Sequence, residues 1–200
     1  MESVTLRRNV EVENPFGVVL AFVEAYSTSY PHGARSSAFD ESDLRRANRG
    51  GARISAAEIA AILERRTQIE GALSDIDPDA SLLGAARSIP WVPLTQVFDA
   101  FADIRGVGFS KMTKALHPKR PALIPMLDSF VRAYLTADDP GTLEPQSFGD
   151  RATALVRSYK RDLDRNRSAL RGLQRALAGR GYLLTEVRIL DILIWSAVAG

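Results

Sequence analysis

Residues 97–116 read VFDAFADIRGVGFSKMTKAL, and the Gly106-Val107-Gly108 triplet decides how the stretch folds. Helical patterning on either side predicts a helix over 94–104, a tight turn, and a second helix from about Ser110 to His117. Glycine allows positive φ and lets the backbone approach another surface closely. The second helix would then present its unpaired N–H groups outward, which makes an anion site. Lys111 and Lys114 add cations about one turn apart, and Val107 would pin the two helices together. A duplex phosphate suits this geometry, because backbone contacts position a protein without reading sequence. Tight helical turns also use glycine on steric grounds alone.

Working outward, period-3.6 patterning dominates, and no sustained alternation occurs after about residue 12. Val4-Thr5-Leu6 and Val10-Glu11-Val12 form either a short hairpin or a tail. Asn14-Pro15 caps a helix to about Tyr26, and residues 27–39 form a loop. Asp40 caps a short helix to about Asn48. The capping box Ser55-Ala-Ala-Glu58 opens one helix whose apolar face is Ile59, Ile62, Leu63, Ile69 and Leu73. A short helix is expected near 81–86. Pro118, Pro121 and Pro125 hold the chain extended, and Asp128 or Ser129 caps a helix to Leu135. One long helix follows over about 150–178, ended by Gly179 and Gly181, and Thr185 caps a final buried helix.

The chain has 200 residues, 46% hydrophobic and 25% charged, and no cysteine. That excludes disulfides, thiolate zinc sites, iron–sulfur clusters and a cysteine nucleophile. No stretch reaches the roughly 18 apolar residues of a membrane span, and the N-terminus lacks an export signal. The expectation is a cytoplasmic protein without membrane partner, cofactor or metal; His32 and His117 have no ligand-spaced neighbours. The net charge is +2. Between Arg105 and Arg132 the bases are Arg105, Lys111, Lys114, Lys119, Arg120 and Arg132, against the single acid Asp128. Arginines again outnumber acids from Arg151 to Arg188, and Arg151–Arg175 reads as a solvated helix face. Trp91, Trp195, Phe130 and Tyr134 are expected in the core, although Trp91 between prolines could line a cleft.

Asp128 begins a helix 22 residues after Gly106, within Ile124-Pro125-Met126-Leu127-Asp128-Ser129-Phe130-Val131. The hairpin, this segment and their spacing resemble the helix-hairpin-helix DNA glycosylase superfamily, whose adenine-removing branch carries a similar Pro-containing stretch ending in Asp. The resemblance implies that Asp128 stabilises positive charge at the sugar C1′ and helps to activate water. As a residue, Asp128 also reads as a helix N-cap worth about 1 kcal/mol. Enzymes of the superfamily that also cut the strand place lysine two residues after the second glycine. Ser110 stands there, so the resemblance implies hydrolysis alone; Lys111 is rotated about 100° away.

A fainter likeness joins Asn48-Arg-Gly-Gly-Ala52-Arg53-Ile54-Ser55 to the oxidised-guanine branch, implying that Asn48 and Arg53 contact the base left unpaired by flipping. The same residues also read as a Gly-rich break with Arg53 solvated. The resemblance spans about residues 40–135. Ile104-Arg105 replaces the usual Leu-Pro, Met112-Thr113 replaces Thr-Ala and crowds the helix, and no base-protonating acid is assignable. The stretch from Asp150 onward matches nothing in the superfamily, and the expectation is a bacterial branch of its own.

The expected fold is therefore all-α and two-lobed, of the helix-hairpin-helix DNA glycosylase type. One lobe spans about 40–135, and 1–39 with 150–200 form the other, with the hairpin and Asp128 on a central cleft. The expected function is hydrolysis of the N-glycosidic bond of a flipped base in double-stranded DNA. Gly106, Val107, Gly108, Ser110, Lys111, Lys114, Asn48 and Arg53 would contact DNA, and Asp128 would be catalytic. The alternatives are a non-catalytic DNA-binding hairpin and a protein-interaction domain unrelated to DNA.

Overall fold

The N-terminal residues form a hairpin that docks on Tyr134, Leu135, Ser158, Asp162 and Asn166. β1 (Val4–Thr5) and β2 (Glu11–Val12) pair antiparallel, Val4 opposite Val12, so the first segment is a hairpin and not a tail. Arg7, in its turn, reaches into the protein. Its Nε meets Asp162 at 2.8 Å, and its terminal nitrogens donate to Leu135 O and to Ser158 O and Oγ. Its backbone N–H donates to the Tyr134 hydroxyl at 2.9 Å.

The computed structural model describes residues 3–26, 36–137 and 146–199. His32 and most of the loop expected over 27–39 lie outside them. The described residues are mostly helical: α1 (Pro15–Ala25), α2 (Glu41–Arg49), α3 (Ala56–Glu64), α4 (Arg66–Ser74), α5 (Trp91–Asp99), α6 (Phe109–Leu116), α7 (Ser129–Thr136), α8 (Phe148–Arg165), α9 (Arg167–Ala178) and α10 (Glu186–Ala199). None is long and apolar enough to cross a membrane.

Most helix starts follow local capping chemistry. Asn14 accepts from Gly17 N, Asp40 and Asp43 form a capping box, and Ser55 and Glu58 form another. Asp128 accepts from Val131 N, and Thr185 from Arg188 N. Each bond satisfies one of the donors that a helix leaves orphaned at its start.

Five expected elements differ, and each has a physical cause. The stretch carrying Pro118 and Pro121 is not extended but turns, with a 3-10 turn over His117–Lys119, because Arg120 N donates to His117 O and Arg120 O accepts Leu123 N and Ile124 N. The helix begun at Ser55 breaks at Arg65 into α3 and α4, because Glu64 to Gln68 are all exposed and nothing apolar holds the axis straight. The stretch near 81–86 is a series of turns, since distant groups take its backbone: Leu82 N donates to Ala122 O, and Lys160 Nζ takes Leu82 O and Gly84 O. α5 starts early, with Pro93 in the first turn where its missing N–H costs little. It ends at Asp99, and the chain leaves through Asp103 in the left-handed region (φ 60°). Finally, the helix expected over 150–178 breaks at Asn166. That buried amide bonds both Thr5 N (2.8 Å) and Thr5 O (2.9 Å), so β1 captures the residue that would have continued the helix.

α8 packs most extensively on α5, and α10 lies against α7, α9 and α1. At the α5–α8 crossing, Thr95 and Thr153 hydroxyls meet at 2.8 Å, and a Cβ on Gly149 would lie 2.4 Å from Thr95 O. One apolar cluster runs through both proposed lobes, including Leu44, Phe98, Leu116, Leu135, Tyr159 and Leu193. Each such side chain contributes about 1.5–3 kcal/mol on burial.

Candidate functional site

Asp128 is placed by three helices acting on the three residues that lead into α7. Asp191 of α10 accepts Met126 N at 3.2 Å, and Thr113 Oγ1 of α6 accepts Leu127 N at 3.0 Å. Asp128 itself, half-buried, accepts Val131 N through Oδ1 at 3.0 Å. No other hydrogen bond reaches this carboxylate among the described residues, so Oδ2 stays available. Thr113, expected to crowd the helix, instead joins it to the Asp128 segment, donating in turn to Phe109 O at 2.7 Å.

Lys114, on the same helix, bears on this carboxylate. Burial lowers its pKa from the usual lysine range, and the Asp128 charge opposes that while Arg188 and Arg53 add to it. Its Nζ donates to Gly51 O at 3.3 Å. Lys114, Asp128, Arg53 and Arg188 therefore share one electrostatic neighbourhood. Arg53 is exposed and held at φ 56°, a left-handed conformation that costs a non-glycine residue of order 1 kcal/mol.

The hairpin glycines serve different ends. Gly106 has φ 83° and lies so close to Glu58 that a Cβ would meet Oε1 at 2.2 Å. Gly108 is extended (φ −102°), and a Cβ there would meet nothing within 4 Å among the described residues. The fold needs glycine at 106, whereas at 108 it leaves open space in front of the first turn of α6, which no side chain caps. Val107 is buried as the pin, and Ser110 is half-buried on that first turn.

Other residues singled out in the sequence are engaged elsewhere. Lys111 Nζ contacts both oxygens of Glu58 at 2.7 Å, and this bond is the largest cause of the lowered Glu58 pKa. Asn48 clamps its own loop, donating to Ile54 O (2.8 Å) and accepting Ile54 N (2.6 Å). Lys119 and Arg120 leave the surface run altogether. Lys119 pairs with Asp43 at 2.8 Å, both side chains buried, and Arg120 donates to Leu73 O in the last turn of α4, to Ile76 O just past it and to Lys119 O. A cation buried this deeply must satisfy its donors internally. Arg105 and Arg132 are exposed, Arg132 lying 5.8 Å over the Phe109 ring.

Several site residues carry no local signal. Phe130, expected in the core, is 38% exposed and meets Trp195 edge-on at 6.1 Å. Phe22 and Tyr26 complete this aromatic rim, and Arg188 covers Phe22 at 5.4 Å. Tyr134 is buried as expected. Trp91 is half-buried, its Nε1 donating to Ala86 O and Arg157 stacked at 4.5 Å. Asp191, read only as an interruption of the last apolar stretch, is fully enclosed. Burial raises its pKa to about 7, against the opposing charge of Arg188. Its Oδ1 has no donor in hydrogen-bond geometry among the described residues; the neighbouring Tyr159 hydroxyl donates to Val187 O at 2.6 Å. Among the described residues, no three His, Asp or Glu side chains gather in a way that could hold a metal.

The fold and site define a mostly helical protein in which a glycine turn, a lysine-bearing helix and a helix-capping aspartate are held together. Residues 18–198 match the model of a family of unknown function, DUF6308, and the chain belongs to that family. No curated protein and no solved structure matches it.

Proposed function

We propose that the chain is a monofunctional DNA N-glycosylase-like protein of the helix-hairpin-helix type. The observation that carries this reading is the Asp128 carboxylate. One oxygen is fixed by Val131 N, the other is unbonded among the described residues, and the carboxylate charge acts on Lys114 of α6. A carboxylate held still in a partly desolvated place stabilises positive charge far better than a mobile one in water.

In this reading the open face at Gly108 and the start of α6 meet a duplex phosphate, and Lys114 neutralises a phosphate beside the extruded nucleotide. Asp128 faces the sugar C1′ as the N-glycosidic bond breaks. Water then adds its hydroxyl to C1′, and its remaining proton leaves with the base. The test is incubation with duplexes carrying a panel of damaged and modified bases, scored for abasic sites.

One observation favours a second reading. The Val131 N–H bond gives Asp128 a complete structural role as a helix cap, so the hairpin could bind DNA without chemistry. That reading predicts salt-sensitive duplex binding and no abasic product with any lesion.

A further inference from the structure

The break at Asn166 does more than end a helix. It sets the end of α8 against the start of α9 and leaves an open groove of about 410 Å³, lined by Asp164, Arg165, Arg167, Ser168, Arg171 and Arg175. Two of its arginines have a carboxylate within reach: Arg167 meets Asp164 at 2.9 Å, which Lys160 also holds, and Arg165 lies 3.6 Å from the buried Asp162, which Arg7 also holds. Arg171 and Arg175 are exposed and pair with no carboxylate among the described residues; Arg175 Nε only reaches Arg171 O at 3.4 Å.

Arg167, Arg171 and Arg175 recur every fourth residue, a row of guanidinium groups about 6 Å apart along α9. Such a row suits a linear polyanion better than a single phosphate, and the guanidinium fork matches phosphate oxygens bidentately. Among the described residues, no aromatic side chain lines the groove. A single-strand site would use stacking platforms, so the chemistry favours the phosphate backbone of a duplex.

We infer that the α8–α9 groove is a nucleic-acid site that takes duplex phosphates on Arg171 and Arg175, separate from the glycine turn. It extends the proposed DNA role to a second surface but does not depend on Asp128 being catalytic.

The test is fluorescence anisotropy of a short labelled duplex against the intact chain, titrated across salt. Arg171→Ala/Arg175→Ala is compared with wild type, and a circular dichroism melt establishes that the variant folds. The salt slope, log K against log salt, should fall by about 1.8 if each arginine neutralises one phosphate. Arg171→Glu/Arg175→Glu should weaken binding further, and Lys114→Ala should add its own decrement. An unchanged slope in the alanine variant overturns the site, as does a wild type that binds no duplex. A loss confined to anionic vesicles, or to the single strand alone, also overturns it. Base release scored on the same lesion duplexes separates the two readings. A lowered slope without abasic product retires the glycosylase reading and leaves the groove standing; abasic product with an unchanged slope does the reverse.

Discussion

Asp191 Oδ2 accepts the Met126 N–H at 3.2 Å across 65 residues of sequence, so the buried centre of α10 sets the backbone two residues ahead of Asp128. The same carboxylate keeps its other oxygen enclosed and without a donor. A buried carboxylate in that state favours its neutral form.

Two buried groups near this point should give opposing pH dependences. Asp191 is raised from 3.8 to about 7, chiefly by burial, so the folded protein holds a proton that the unfolded chain has lost. Its contribution is therefore present below about pH 4 and is lost as pH rises to about 7. His117 is lowered from 6.5 to about 4, again chiefly by burial, so its contribution is present above 6.5 and is lost as pH falls to 4. The slopes cancel between about pH 4 and 6.5. Asp191→Asn should uncover the His117 slope, with the denaturant midpoint rising across that window. A flat profile in the variant would show that His117 is not buried neutral.

The hairpin glycines should separate folding from binding. Gly106→Ala must adopt φ 83° against Glu58 and should cost about 1–2 kcal/mol, read from chemical denaturation. Gly108→Ala meets open space and should cost less, about 0.5–1 kcal/mol, the difference between glycine and alanine at a helix N-cap. Its effect should be weaker duplex binding, through the methyl group now standing before α6. Equal stability losses at the two positions would contradict these roles.

Glu58 and Lys111 make a third distinction. Because Glu58 occupies the Lys111 ammonium, Lys111→Ala should weaken duplex binding less than Lys114→Ala. Glu58→Gln should release Lys111 and steepen the salt dependence by up to about 0.9 in slope. Anisotropy titrations at several salt concentrations check both, and a larger loss from Lys111→Ala would reverse the assignment.

Arg7 should dominate the stability of the N-terminal closure. Arg7→Met leaves Asp162, 1% exposed, with only the 3.6 Å contact to Arg165. Breaking a buried pair in this way costs about 3–5 kcal/mol. Arg7→Met/Asp162→Leu should recover part of the loss in urea unfolding, since the stranded charge is gone.

The parts of this architecture legible in the sequence are those whose bonds close within three or four residues. The Asn14, Ser55 and Asp128 caps, the Thr185 start and the Gly106 turn all belong to that class. Asn166 was not legible as a helix break, because its partner Thr5 lies 161 residues away. Lys119 and Arg120 read as surface cations for the same reason: a charge count carries no burial, and Asp43 and the α4 carbonyls are remote in sequence. The site followed the same division. The spacing from Gly106 to Asp128 is visible, whereas Thr113, Arg188 and Asp191 reach Leu127 and Met126, the residues before Asp128, only through the packing of α6 and α10.

The central claim is that Asp128 acts on a sugar cation and does not merely cap α7. Its most direct measurement is single-turnover base release from lesion-bearing duplexes by wild type and Asp128→Asn, with duplex affinity measured alongside. Asparagine keeps an oxygen for the Val131 N–H, so the account predicts retained folding and binding with release slowed about 10²–10⁴-fold. Release at the wild-type rate by Asp128→Asn, or no release from any lesion by wild type, would contradict it.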